Sequence, residues 1–130
     1  MARTALPITS LVANGQVSNP TATTIDATNG MQITLPTTDI PADASSDRLV
    51  LVVANTAAAS KNVMVRAGAS NPPAFRNGLG DIKALVTNAT TSYVGPFDYS
   101  RITQGGGVIN VDFDAGTTGT VLALLLPRTI

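Results

Sequence analysis

The chain has 130 residues and a mass of 13.2 kDa, with eight basic side chains against eight acidic ones and only 12% charged residues. A neutral chain lacks the surplus of Lys and Arg that displaces counterions from nucleic acid, so DNA and RNA are excluded as main partners, and it has little electrostatic pull toward a membrane. It contains no Cys, His or Trp, and every acidic residue is Asp, which removes thiol nucleophiles, imidazole bases and zinc sites of the usual nitrogen or sulfur type.

Residues 1–27 are rich in Thr, Ala, Asn and Pro with weak periodicity. They predict an extended N-terminal arm that orders on binding a partner, ahead of a folded domain over residues 28–130. Its apolar part is broken by Pro7, Thr9 and Ser10, and no secretory signal is read there. Leu6, Ile8, Leu11 and Val12 are its expected apolar anchors and Arg3 its charged contact.

From residue 28 onward the apolar positions recur every second residue, between boundaries of Gly, Pro, Asn and Asp, which is the period of a strand with one face buried. Asn29-Gly30 opens the first clear strand, MQITL, with Met31, Ile33 and Leu35 on one face. KNVMVRA places Val63, Val65 and Ala67 inward, and VINVDF places Ile109, Val111 and Phe113 inward. RLVLVVA, DIKALV, TSYVG, FDYSRI and TVLALLL complete the set. About eight short strands in one small domain predict an all-β fold, an antiparallel β-sandwich or jelly roll. The glycine-bearing turns TQGGG and DAGTTG suggest a meander of hairpins in the C-terminal half.

Two strands, residues 49–54 and 121–126, are apolar on both faces. An open sandwich with one face in water alternates apolar and polar residues, so something is expected to cover these outer faces. The arm or a long loop is one candidate, and a contact with another chain is the other.

The segment AGASNPPAFRNGLGD, residues 67–81, holds Pro72 and Pro73, which fix two φ angles and lack N–H donors, so it is a stiff connection. Its glycines do not match a phosphate loop, which needs Lys and Ser or Thr after the last Gly and then a helix. A structural loop is one reading. A docking loop is the other, with Phe75 and Arg76 as anchors on a support that loses little entropy when it binds.

The run DFDAGT at residues 112–117 echoes part of a calcium loop but lacks its third ligand and closing Glu, so a hairpin end is the better reading and no metal is expected. With no His, only Lys61 or Lys83 could activate a serine, and neither lies in a catalytic motif. The composition therefore predicts a protein that is not an enzyme and needs no cofactor.

The runs VRAGASNPPAFRNGLGD, VGPFDYSRITQGGGVINVDF and TVLALLLPR, which fall within residues 65–128, resemble small structural proteins encoded near the major capsid gene of tailed bacteriophages, and the head decoration, or cement, proteins among them. The resemblance implies a β-rich homo-oligomer, often a trimer. Such a protein would be made in the host cytoplasm and bind the major capsid protein on the outer surface of the virion head. On this reading Arg3, Leu6, Ile8, Leu11 and Val12 of the arm and Pro72, Pro73, Phe75 and Arg76 of the loop form the interface. A tail or head-to-tail component, or a glycan-binding β-sandwich module, is the alternative.

Overall fold

A computed structural model describes residues 2–18, 20–35, 47–69, 74–104 and 107–127. Two five-stranded sheets pack face to face, and the chain is nearly all β. The strands are β1 (Thr4–Ala5), β2 (Ile8–Ser10), β3 (Thr23–Thr24), β4 (Met31–Thr34), β5 (Leu49–Asn55), β6 (Lys61–Val65), β7 (Ile82–Val86), β8 (Thr90–Val94), β9 (Val108–Phe113) and β10 (Gly119–Leu125). Sheet A runs β1-β4-β9-β6-β7, and sheet B runs β2-β10-β5-β8 with β3 also paired to β10. No helix among the described residues is long and apolar enough to cross a membrane.

The alternation in sequence sets which side of each strand is dry. Met31, Ile33 and Leu35 from the β4 region, Val63 and Val65 of β6, and Ile109, Val111 and Phe113 of β9 are all buried. They face Leu49, Leu51 and Val53 of β5 and Val121, Ala123 and Leu125 of β10, forming one continuous core. Ala67 is only half-buried, because β6 ends at Val65.

Three sequence expectations are corrected here. FDYSRI is not a strand: it contains a single helical turn, α1 (Tyr99–Ile102). Asp98 caps that turn, its carboxylate accepting from the Ser100 N–H at 3.0 Å and the Ser100 hydroxyl at 2.6 Å, while Ile102 is fully buried. Local capping thus overrides a period-two pattern over so few residues. Nor is the C-terminal half a meander, because β8, β9 and β10 lie in sheets B, A and B in turn. Strands that each bury one face on a common core are joined here by arches between layers about 10 Å apart, with Gly116 and Gly119 at positive φ in the last arch. At Gly119 a Cβ would stand 1.9 Å from the Ala54 carbonyl oxygen, so the start of β10 requires glycine.

The third concerns the N-terminal segment, whose described residues, 2–18 and 20–27, are not set apart from the body. β1 adds in parallel to β4, β2 adds in parallel to β10, and β3 pairs antiparallel with the other half of β10. Leu6, in the crossing between β1 and β2, and Ile25, after β3, belong to the core. The segment is therefore a strap that ties the same side of both sheets. Strands of two and three residues carry too few positions to show a period, which is why sequence alternation missed them.

Candidate functional site

The outer faces of the two sheets differ in chemistry. On sheet A the outward side chains include Gln32, Asn62, Met64, Lys83, Leu85, Asn110 and Asp112, of which Leu85 is an exposed apolar one. A chain of ion pairs crosses this face. Arg3 holds Asp112 through its two terminal nitrogens, Nη1 and Nη2, at 2.5 and 3.2 Å, and Arg66 Nε donates to the same carboxylate at 2.6 Å. Arg66 Nη1 reaches Asp81 at 2.8 Å, and the Ala67 N–H donates to the other Asp81 oxygen at 2.7 Å. The partners come from the strap, β9 and the two ends of the β6–β7 connection, so the network stitches sheet A across its width. Asp112 is thus fully engaged by arginines, and Asp114 accepts from the backbone and side-chain nitrogens of Asn62. Among the described residues no three acidic side chains converge as a metal site would need.

Burial acts to raise the Asp112 value, but the hydrogen bonds and charges of Arg3 and Arg66 overcome it and hold the carboxyl below the usual range. Asp81 is lowered by the Ala67 N–H first, then by Arg66. Asp98 is lowered by the Ser100 hydroxyl, Asp114 by the Asn62 N–H, and Asp26 by the Thr4 hydroxyl and the Asn29 N–H. A carboxyl lowered in the folded state contributes stability that is present above its unfolded value and is lost as pH falls through the folded one, since the unfolded chain binds more protons in that window. The melting temperature is therefore expected to be flat between about pH 5 and 8 and to drop below about pH 4. A melting temperature that rises on acidification contradicts this network.

Sheet B is built differently. Its two central strands, β5 and β10, pair along their whole length, Leu122 opposite Val52 and Leu124 opposite Val50. Each is apolar on both sides, so Val50, Val52, Ala54, Leu122 and Leu124 form an outward stripe in which every member is half-buried. Tyr93 of β8 stands beside Val52 and is 73% exposed, and Leu126 extends the stripe past β10 at 40%. The remaining outward positions on these strands and their neighbours are Thr9, Thr24, Thr91 and Thr120. None of these side chains carries a charge, and Arg48, the cross-strand partner of Leu126, closes the stripe at one end, its Nη1 donating to the Leu126 carbonyl at 2.7 Å. The strap meets β10 edge-on, through β2 and β3, and so lies in the plane of the sheet rather than over this stripe.

The described part of the loop between β6 and β7 is clasped to α1. Arg76 Nη1 pairs with Asp98 at 2.6 Å, and the Arg76 N–H donates to the Ser100 carbonyl at 2.7 Å. Arg101 Nε donates to the Gly80 carbonyl at 2.9 Å, and Asn77 Nδ2 to that of Gly68 at 2.9 Å. Ala74 fills the pocket behind, 2.4 Å from where a Cβ on Gly68 would lie. Phe75, 68% exposed, and Leu79 are left facing water at the end of the sandwich where β8 leaves sheet B.

These positions locate the expected interface residues. Arg3 is taken up by Asp112, and Leu6 is core, while Ile8 packs half-buried against that core. Leu11 is half-buried, and Val12 is exposed. Arg76 makes its ion pair within the chain, and Phe75 points outward instead of lidding the core. Pro72 and Pro73 lie outside the described residues. The stripe on sheet B was legible as the doubly apolar strands. The ion-pair chain was not, because its partners lie up to 109 residues apart. Comparison with protein-family models, with curated proteins and with solved structures returns no match.

Proposed function

We propose that the chain is a non-enzymatic structural protein of a virion, a decoration protein that docks the outer face of sheet B onto the major capsid protein of a tailed-phage head and reinforces the shell. The observation that carries this reading is the contrast between the two sheets: a chain of ion pairs crosses the outer face of sheet A, which also carries Met64 and exposed Leu85, while the outward side chains of β5 and β10 in sheet B form an apolar stripe that holds no charge between its ends. A sheet surface of that kind fits a protein surface of matching low charge, and burying it removes apolar area from water. The resemblance of residues 65–128 to head decoration proteins supports the identity of the shell as that surface. Exposed Phe75 and Leu79 supply a second contact at one end of the sandwich.

A contact without charges is insensitive to screening, whereas one built on ion pairs weakens as the Debye length shrinks from about 10 Å at 0.1 M salt to about 3 Å at 1 M. Purified protein added to heads that lack it should therefore cosediment with them to saturation, equally at both salt concentrations. Failure to cosediment at either one overturns the proposal.

A further inference from the structure

Four edges terminate the two sheets, and three of them are guarded. Sheet A ends at β1, of two residues, and at β7, which carries exposed Lys83 at its second position. One side of sheet B ends at β2 and β3, of three and two residues. Short strands and a lysine within the strand are both devices that stop an edge from templating another strand. β8 ends the other side of sheet B and has neither. Its five residues, TTSYV, are β-branched, aromatic or small, with no charge and no proline. β5 pairs with it from Leu51–Val94 to Asn55–Thr90, so its alternate N–H and C=O groups point away from the sheet, and among the described residues no strand meets them.

We propose that β8 pairs antiparallel with β8 of a second copy of this chain, about a two-fold axis normal to sheet B. One symmetry operation then satisfies both open edges with the same residues, as an isologous contact does. The absence of charge on the strand means that no like charges meet across the seam, and Thr and Tyr side chains make favourable cross-strand neighbours. Because the axis is normal to the sheet, the outward stripes of both copies lie on one side, and the two sheets B become one continuous sheet with a doubled apolar face. The contact goes beyond the docking proposal and is two-fold, unlike the three-fold assembly that the resemblance implies.

The chain contains no cysteine, so a single introduced thiol has no partner within its own molecule. In an antiparallel pair about such an axis one residue must face its own copy, with Cα atoms about 4.5–5.5 Å apart, inside the range a disulfide spans, about 4.4–6.8 Å. Thr90→Cys, Thr91→Cys, Ser92→Cys and Tyr93→Cys are each made singly and oxidised mildly. The expected result is that the unmodified chain sediments at twice its 13.2 kDa mass, that one of the four variants gives a covalent dimer well above its neighbours, and that Thr91→Lys sediments as a monomer with an unchanged melt. A monomer or trimer for the unmodified chain, a dimer that survives Thr91→Lys, or no cross-linking at any of the four positions overturns the pairing. Failure of head binding would leave these results unaffected, so the two proposals fail separately.

Discussion

Replacing Leu6 by Ala is expected to lower the melting temperature by about 10 °C. Leu6 is 3% exposed and sits in the core where the strap crosses from sheet A to sheet B. Removing a buried leucine side chain costs about 3 kcal/mol through lost transfer energy and the cavity left behind, and in a domain of this size about 4 °C accompanies each kcal/mol. The strap also brings the Leu6 N–H to the Gln32 carbonyl at 2.8 Å, the Leu11 N–H to that of Leu125 at 2.8 Å, and Arg3 to Asp112. Deleting residues 1–10 should therefore lower the melt further than Leu6→Ala alone, since Asp112 loses one of its two arginines as well. A dispensable arm that orders only on binding predicts the opposite outcome, an unchanged melt with attachment lost. Thermal denaturation of the two variants followed by circular dichroism separates these outcomes.

Changing Leu122 to Lys is expected to weaken the affinity for heads more than 100-fold with little loss of stability. Leu122 lies at the centre of the sheet B stripe, opposite Val52 and half-buried in the free protein. A lysine there can run its methylenes along the apolar surface and keep its ammonium in water, which limits the cost in the free chain. Docked against a partner, the same ammonium is buried without a counter-charge, at a penalty of about 3 kcal/mol or more, and about 1.4 kcal/mol is tenfold in affinity. Gln32→Lys puts the same charge on the polar face of sheet A and should leave occupancy unchanged. Equal losses from both variants would mean that the added charge acts on the whole molecule and not on one face.

Much of the fold was legible because a half-buried strand writes its orientation in alternate residues. The inward sets of β4, β6 and β9 follow from that rule, and the doubly apolar β5 and β10 mark the centre of one sheet. What was hidden depends on contacts between distant parts of the chain. Thr4–Ala5 and Ile8–Ser10 are strands only because β4 and β10 offer them edges, and nothing within five residues signals this. At α1 the cap Asp98–Ser100 was present in the sequence, but the alternation of FDYSRI masked it. Arg76 looked like a free anchor because Asp98, its partner, lies 22 residues away. The candidate docking stripe was therefore foreseeable as composition, whereas its separation from the strap required the pairing of β2 and β3 along the edge of β10.

In the docking proposed above, the outer face of sheet B is the side turned toward the shell. A difference map between electron cryomicroscopy reconstructions of heads with and without the protein tests it most directly. Added density is expected on the outer surface, with β5 and β10 forming the layer nearest the shell, Leu122 and Val52 facing the capsid protein, and the Arg3–Asp112–Arg66 face of sheet A turned to solvent. Density placed with sheet A against the shell, or none on the outer surface, contradicts it.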